Sequence, residues 1–117
     1  MIFKLNENDS VELKYSFRSA IFFEQIQGKS IDFTNISMND MLILFFSVVS
    51  ASLQKEKKNL ITMLEFMDAI DDYNGGDTCI LEFAQWYTKQ LEAQYTALAE
   101  NDDKAKKKTI KKTKKTS

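Results

Sequence analysis

MNDMLILFFSVVSASL, residues 38–53, decides the fold. The stretch holds neither Gly nor Pro, and its one charge is Asp40, near the start. Ser37 stands just ahead as an N-cap, and Asp40 three residues later resembles a capping box with Asp in place of Glu. Met38, Met41, Leu42, Phe45, Val49 and Leu53 recur at helical spacing and make one broad stripe. Ile43 and Leu44 lie off that stripe, so the helix is apolar on most sides. Such a helix is buried by several neighbours at once. A membrane span is the rival reading, but it needs about 20 apolar residues. Here Asn39, Asp40, Ser47, Ser50 and Ser52 interrupt a shorter run, so the expected role is the central helix of a small domain.

Outward from that helix, the N-terminal side reads as strands and one further helix. Ile2–Leu5 and Val11–Phe17 flank the turn-forming cluster NENDS. Val11, Leu13, Tyr15 and Phe17 alternate with Glu12, Lys14 and Ser16, the period of a half-buried strand. A β-hairpin is expected there, and an isolated hairpin is marginal unless it packs on helices. Phe17–Gln27 is expected to be helical, ending at Gly28, with Phe22, Phe23 and Ile26 on one face. Lys29–Ile36 is a connector.

On the C-terminal side, residues 54–59 form a charged loop. Thr62 and Glu65 make the T-x-x-E capping box, so a helix begins near Met63, with Met63, Phe66, Met67 and Ile70 on one face. It stops at Tyr73–Asn74–Gly75–Gly76. Asp77 or Thr78 then caps a last helix running to about Glu100. Its core stripe is predicted to be Ile80, Ala84, Tyr87, Leu91, Tyr95 and Leu98. The fold class is therefore α+β and mainly α, with about four helices around the central one and a short N-terminal hairpin. Residues 1–100 make one small domain.

The tail is different in kind. The chain has 117 residues and a net charge of −1. Residues 1–103 carry 8 Lys/Arg against 17 Asp/Glu, a balance of −9, while residues 104–117 carry 8 Lys and no acid. Lysine repulsion and the lack of anything to bury except Ile110 predict a disordered tail over 101–117.

Composition also bounds the chemistry. There is one Cys and no His. An intrachain disulfide framework is excluded, as are metal sites built on His and Cys clusters and any acid–base scheme that needs His. No basic n-region followed by an apolar h-region stands at the N-terminus, so no signal peptide is expected and the expected compartment is the cytoplasm.

Three features are candidate sites. Asp68, Asp71, Asp72, Asp77 and Glu82 cluster around Gly75–Gly76, but they lack the spacing of a calcium loop, and a solvated helix end is the simpler reading. Cys79 sits in the first turn of a helix, which lowers a thiol pKa, yet it has no His to pair with; a small helix-face residue is the simpler reading. Trp86 lies roughly 140° from the centre of the core stripe, at about 100° per residue. Cys79, Phe83, Gln90, Ala93 and Ala97 share its face. Trp is enriched at binding hot spots, so Cys79, Phe83, Trp86 and Gln90 are the candidate partner-binding residues. The alternative is that another helix of the domain covers this face. The tail could touch phosphates, but it has no aromatics for stacking and the body is acidic.

The order of elements resembles the tail assembly chaperones of long-tailed bacteriophages and related gene transfer agents. The matching stretches are VELKYSFRSAIFFEQIQGKSI (11–31) with its E-x-x-x-G ending, MNDMLILFFSVVSAS (38–52), and TMLEFMDAIDDYNG (62–75) with its T-x-x-E-x-x-D pattern. The Lys-rich tail is not a hallmark of that family. The resemblance implies a non-enzymatic protein without cofactor that binds a tape measure protein and assists assembly of the tail tube protein around it. A homo-oligomer is compatible with it, and nucleic acid is not an expected partner. A small nucleic-acid-associated or adaptor protein acting through its basic tail is the alternative.

Overall fold

The computed structural model describes the backbone over residues 1–116 and the side chains over residues 1–96. The elements run β1 (Ile2–Lys4), β2 (Ser10–Glu12), α1 (Phe17–Gln27), α2 (Met38–Lys55), α3 (Met63–Tyr73) and α4 (Asp77–Thr116). This is the expected architecture of four helices and a two-stranded antiparallel hairpin. The chain divides into two compact units, Met1–Trp86 and Tyr87–Ser117. The boundary therefore falls inside α4, and the second unit contains no element other than the rest of that helix. The expectation of a disordered tail over 101–117 lies outside the residues whose side chains are described.

Local chemistry sets the helix ends. Gly28 takes the left-handed conformation at φ 71° and closes α1, its N–H donating to the Glu24 carbonyl. Ser37 Oγ accepts from the Asp40 N–H at 3.0 Å and starts α2. Thr62 and Glu65 cap α3 reciprocally: Thr62 Oγ1 accepts from Glu65 N at 3.1 Å, and Thr62 N donates to Glu65 Oε1 at 3.0 Å. Asp77 is already the first residue of α4 rather than its cap. Ahead of it, Gly75 and Gly76 have φ of 87° and 65°, a pair of left-handed residues that side chains disfavour.

The hairpin is shorter than the sequence pattern. The pairing joins Ile2 to Glu12, Phe3 to Val11 and Lys4 to Ser10. One further bond, Leu13 N to the Met1 carbonyl at 2.8 Å, extends it. Val11 and Leu13 are buried as the alternation demands, but Phe17 is 82% exposed and opens α1 instead. Past Leu13 the described backbone makes no further ladder bond to β1, and it turns into α1 at Phe17.

The core of the first unit is an aromatic cluster centred on Phe45 of α2. Its ring stacks on Phe83 of α4 at 4.2 Å between centroids and 3° between planes. Phe3 of β1 and Phe66 of α3 meet it edge-on at 5.4 and 5.1 Å. All four rings are fully buried. Every residue from Ser47 to Leu53 is also buried, serines included. Ser47 Oγ donates to the Ile43 carbonyl at 2.7 Å, and Ser52 Oγ accepts from Lys14 N at 3.0 Å, so both hydroxyls are satisfied inside the core. The start of the predicted stripe departs from expectation. Met38 is 68% exposed, and Met41 and Leu42 are half-buried.

Asp40 is buried at the α1–α2 junction, where it accepts from Gln27 Nε2 and faces Lys29 Nζ at 3.4 Å. Burial pushes its carboxyl up, but hydrogen bonds from Ser37 and Gln27 and the Lys29 charge outweigh that and hold it below the ordinary value. At the other end, Lys58 Nζ bonds Asp9 Oδ1 at 2.9 Å and the Ser10 carbonyl at 2.6 Å, tying the loop after α2 to the hairpin.

Truncation of a buried phenylalanine costs ~3–5 kcal/mol, and Phe45→Ala is expected to lose that much. Chemical denaturation of wild type and variant measures it. An unchanged midpoint would mean that the rings around Phe45 do not depend on it.

Candidate functional site

Two apolar faces run along α4, and the structure decides which one faces inward. Cys79 and Phe83, expected on a partner-binding face, are core residues at 2% and 0% exposure. Phe83 is committed to the stack on Phe45, and its backbone spacing to Cys79 brings the thiol into the same layer. Ile80 and Ala84, expected in the core stripe, are only half-buried; Tyr87 is buried and Tyr95 is 64% exposed. Leu98 lies outside the described side chains. Trp86 is half-buried, its ring 5.9 Å from Phe83, and Gln90 is half-buried. Of the four candidate partner-binding residues, Trp86 and Gln90 thus keep accessible area. Cys79 and Phe83 lie in the core instead, Phe83 against Phe45 of α2.

The environment of Cys79 also reverses the expectation of a lowered thiol pKa. Burial, with the Glu82 charge adding to it, pushes the thiol up to about 11. At neutral pH it is a protonated, apolar filler rather than a nucleophile.

The acidic residues have a clear placement. Asp68, Asp71, Asp72, Asp77 and Glu82 are all exposed. Among the described residues, no group of three or more His, Cys, Asp or Glu comes together as a metal site. Two of the acids, Asp71 and Asp77, border a small groove where three helices meet. Leu42 of α2, Met67 and Ile70 of α3 and Ile80 of α4 line it, and Asp71 and Asp77 stand in its wall. Its volume is about 190 Å³. The sequence held a signal for it: Leu42 and Ile80 extend the apolar surface of α2 and α4 beyond what the aromatic core covers.

In the sequence Asn74 reads only as part of a helix stop. Its side chain in fact acts as a strand neighbour to β1. Lys4 N donates to Asn74 Oδ1 at 2.9 Å, and Asn74 Nδ2 donates to the Lys4 carbonyl at 2.8 Å and to the Ala69 carbonyl at 2.8 Å. One amide thereby ties the hairpin to the end of α3 across 70 residues of sequence. No local pattern announces such a contact. A larger pocket of about 460 Å³ lies between the hairpin turn and the loop after α2, lined by Leu5, Asn6, Lys57, Asn59 and Glu65 among others. Asp9 and Lys58 in its wall are paired with each other.

Among the described residues, no helix is long and apolar enough to cross a membrane. No family model matches the chain, and neither a curated protein nor a solved structure is found to be similar to it.

Cys79 supplies a test of the inward face of α4. A thiol reagent at pH 8 is expected to label the native chain slowly and the denatured chain at once. The raised pKa also carries a sign: the unfolded thiol, near 9.0, ionises before the folded one. Its contribution to stability is therefore intact below pH 9 and is lost as pH rises from about 9 to about 11. Cys79→Ala should abolish that part of the alkaline loss, and an identical alkaline profile in the variant would place the thiol outside the core.

Proposed function

We propose that this chain is a non-enzymatic helical chaperone of the phage tail-assembly type, which holds an apolar helix of a tape measure protein and assists assembly of the tail tube protein. The observation that carries this reading is the order and local signature of the elements. A short hairpin leads to a helix closed by a glycine, then to the apolar α2, then to the T-x-x-E-capped α3 and a long final helix. That succession is the one on which the resemblance to tail assembly chaperones rests. The host cytoplasm is the compartment that this function requires.

Within this reading Trp86 is the residue for a partner to meet. Its ring leans on Phe83 while keeping accessible area, and half-exposed tryptophans anchored on a rigid core serve as binding hot spots. Large apolar side chains elsewhere, among them Phe17, Met38 and Leu64, are more than half exposed. They offer further contact area for an amphipathic helix laid along the domain.

Co-expression with a tape measure protein encoded beside this chain, followed by pull-down, is the test. A soluble complex is expected. Trp86→Ala should weaken it by at least ~2 kcal/mol, the scale of a hot spot, while far-UV circular dichroism stays unchanged. Equal recovery with the variant would remove Trp86 from the interface. No complex with either would count against the chaperone reading. Binding of duplex DNA that falls steeply with salt would favour the basic-tail alternative instead.

A further inference from the structure

Between Asn59 and Thr88 the chain carries six acids and no Lys or Arg. All six, Glu65, Asp68, Asp71, Asp72, Asp77 and Glu82, are exposed, and none makes an ion pair among the described residues. Their mutual repulsion is uncompensated within that part of the fold. Two of them, Asp71 and Asp77, stand in the wall of the groove of Leu42, Met67, Ile70 and Ile80. A ligand suited to this place has several positive charges and one aliphatic side chain to seat in a space of about 190 Å³.

The same chain contains such a ligand. Residues 104–117, KAKKKTIKKTKKTS, hold eight lysines, no acid and one aliphatic side chain larger than alanine, Ile110. We propose that the groove between α2, α3 and the start of α4 receives the Lys-rich C-terminal segment of a second copy of the chain, with Ile110 seated among Leu42, Met67 and Ile80. The lysines flanking Ile110 on both sides neutralise the acidic rim, and the field of the acidic body steers the segment in. Seating Ile110 removes apolar surface from water on both partners. The contact is heterologous, tail to groove. Each molecule therefore keeps one unused tail or groove, and association grows with concentration unless the geometry closes a ring.

The test is sedimentation equilibrium of the full chain. Wild type is expected to associate with rising concentration. That association should weaken sharply between about 0.05 and about 0.5 M salt, a range over which charge screening shortens severalfold. Ile110→Ser, and separately the double variant Asp71→Asn/Asp77→Asn, should each weaken it by about tenfold or more. Far-UV circular dichroism checks that both variants keep the fold. A mixture of the two variants should form a one-to-one complex that neither forms alone, because only the pairing of one intact tail with one intact groove survives. A chain that stays monomeric at every concentration and salt would overturn the proposal, including the case in which each tail docks on its own body. So would variants that associate like wild type, or a mixture that stays monomeric.

Discussion

The stack of Phe83 on Phe45 is the contact on which the first unit depends. It joins α2 to the start of α4 at 4.2 Å, and Phe3 and Phe66 close around Phe45 from the hairpin and from α3. Four elements distant in sequence thus meet at one ring. Aromatic pairs contribute more than their buried area alone, and these are also shielded from water completely. A three-residue strand pair has little stability by itself. Here Phe3 gives β1 a place in the core, and Asn74 supplies the hydrogen bonds that a third strand would have offered its edge.

The same constraint explains the serines of α2. A helix buried on most sides must let its neighbours approach closely, and small residues allow that. Ser47, Ser50, Ala51 and Ser52 are all buried, where larger side chains would hold the neighbouring elements away. The hydroxyls of Ser47 and Ser52 are tolerated because one bonds the preceding turn and the other accepts from the chain leaving β2. The polar letters that interrupt the apolar run are thus accommodated inside the fold, where they allow close packing.

Charge is distributed unevenly around this core. Lysines pair with acids near the hairpin and at the α1–α2 junction, through Lys58 with Asp9 and Lys29 with Asp40. The acids of α3 and early α4 have no such counterparts among the described residues. An apolar groove inside an acidic surround favours basic amphipathic segments over other helices, since charge selects among partners that apolar contact alone would not distinguish. The tail-to-groove contact draws on that asymmetry.

Local chemistry was legible in the chain itself. The end of α1 and the starts of α2 and α3 follow from Gly28, Ser37 and the Thr62–Glu65 box, because capping is settled within four residues of sequence. The burial of α2 and the placing of Phe45 at its centre follow from an apolar run too broad for a single face. Tertiary structure alone decided the rest. On α4 the faces of Cys79–Phe83 and Ile80–Ala84 are both apolar, and periodicity gives a direction only relative to the helix, not relative to its neighbours. The stack with Phe45 selected the first face, which moved Cys79 and Phe83 from the candidate site into the core and left Trp86 half-buried beside Phe83. The strand beyond Leu13 failed for a similar reason: alternation describes a side-chain pattern, but a strand exists only where a partner supplies hydrogen bonds. The groove of Leu42, Met67 and Ile80 needed three helices to meet, and no one of them carries it in its own sequence.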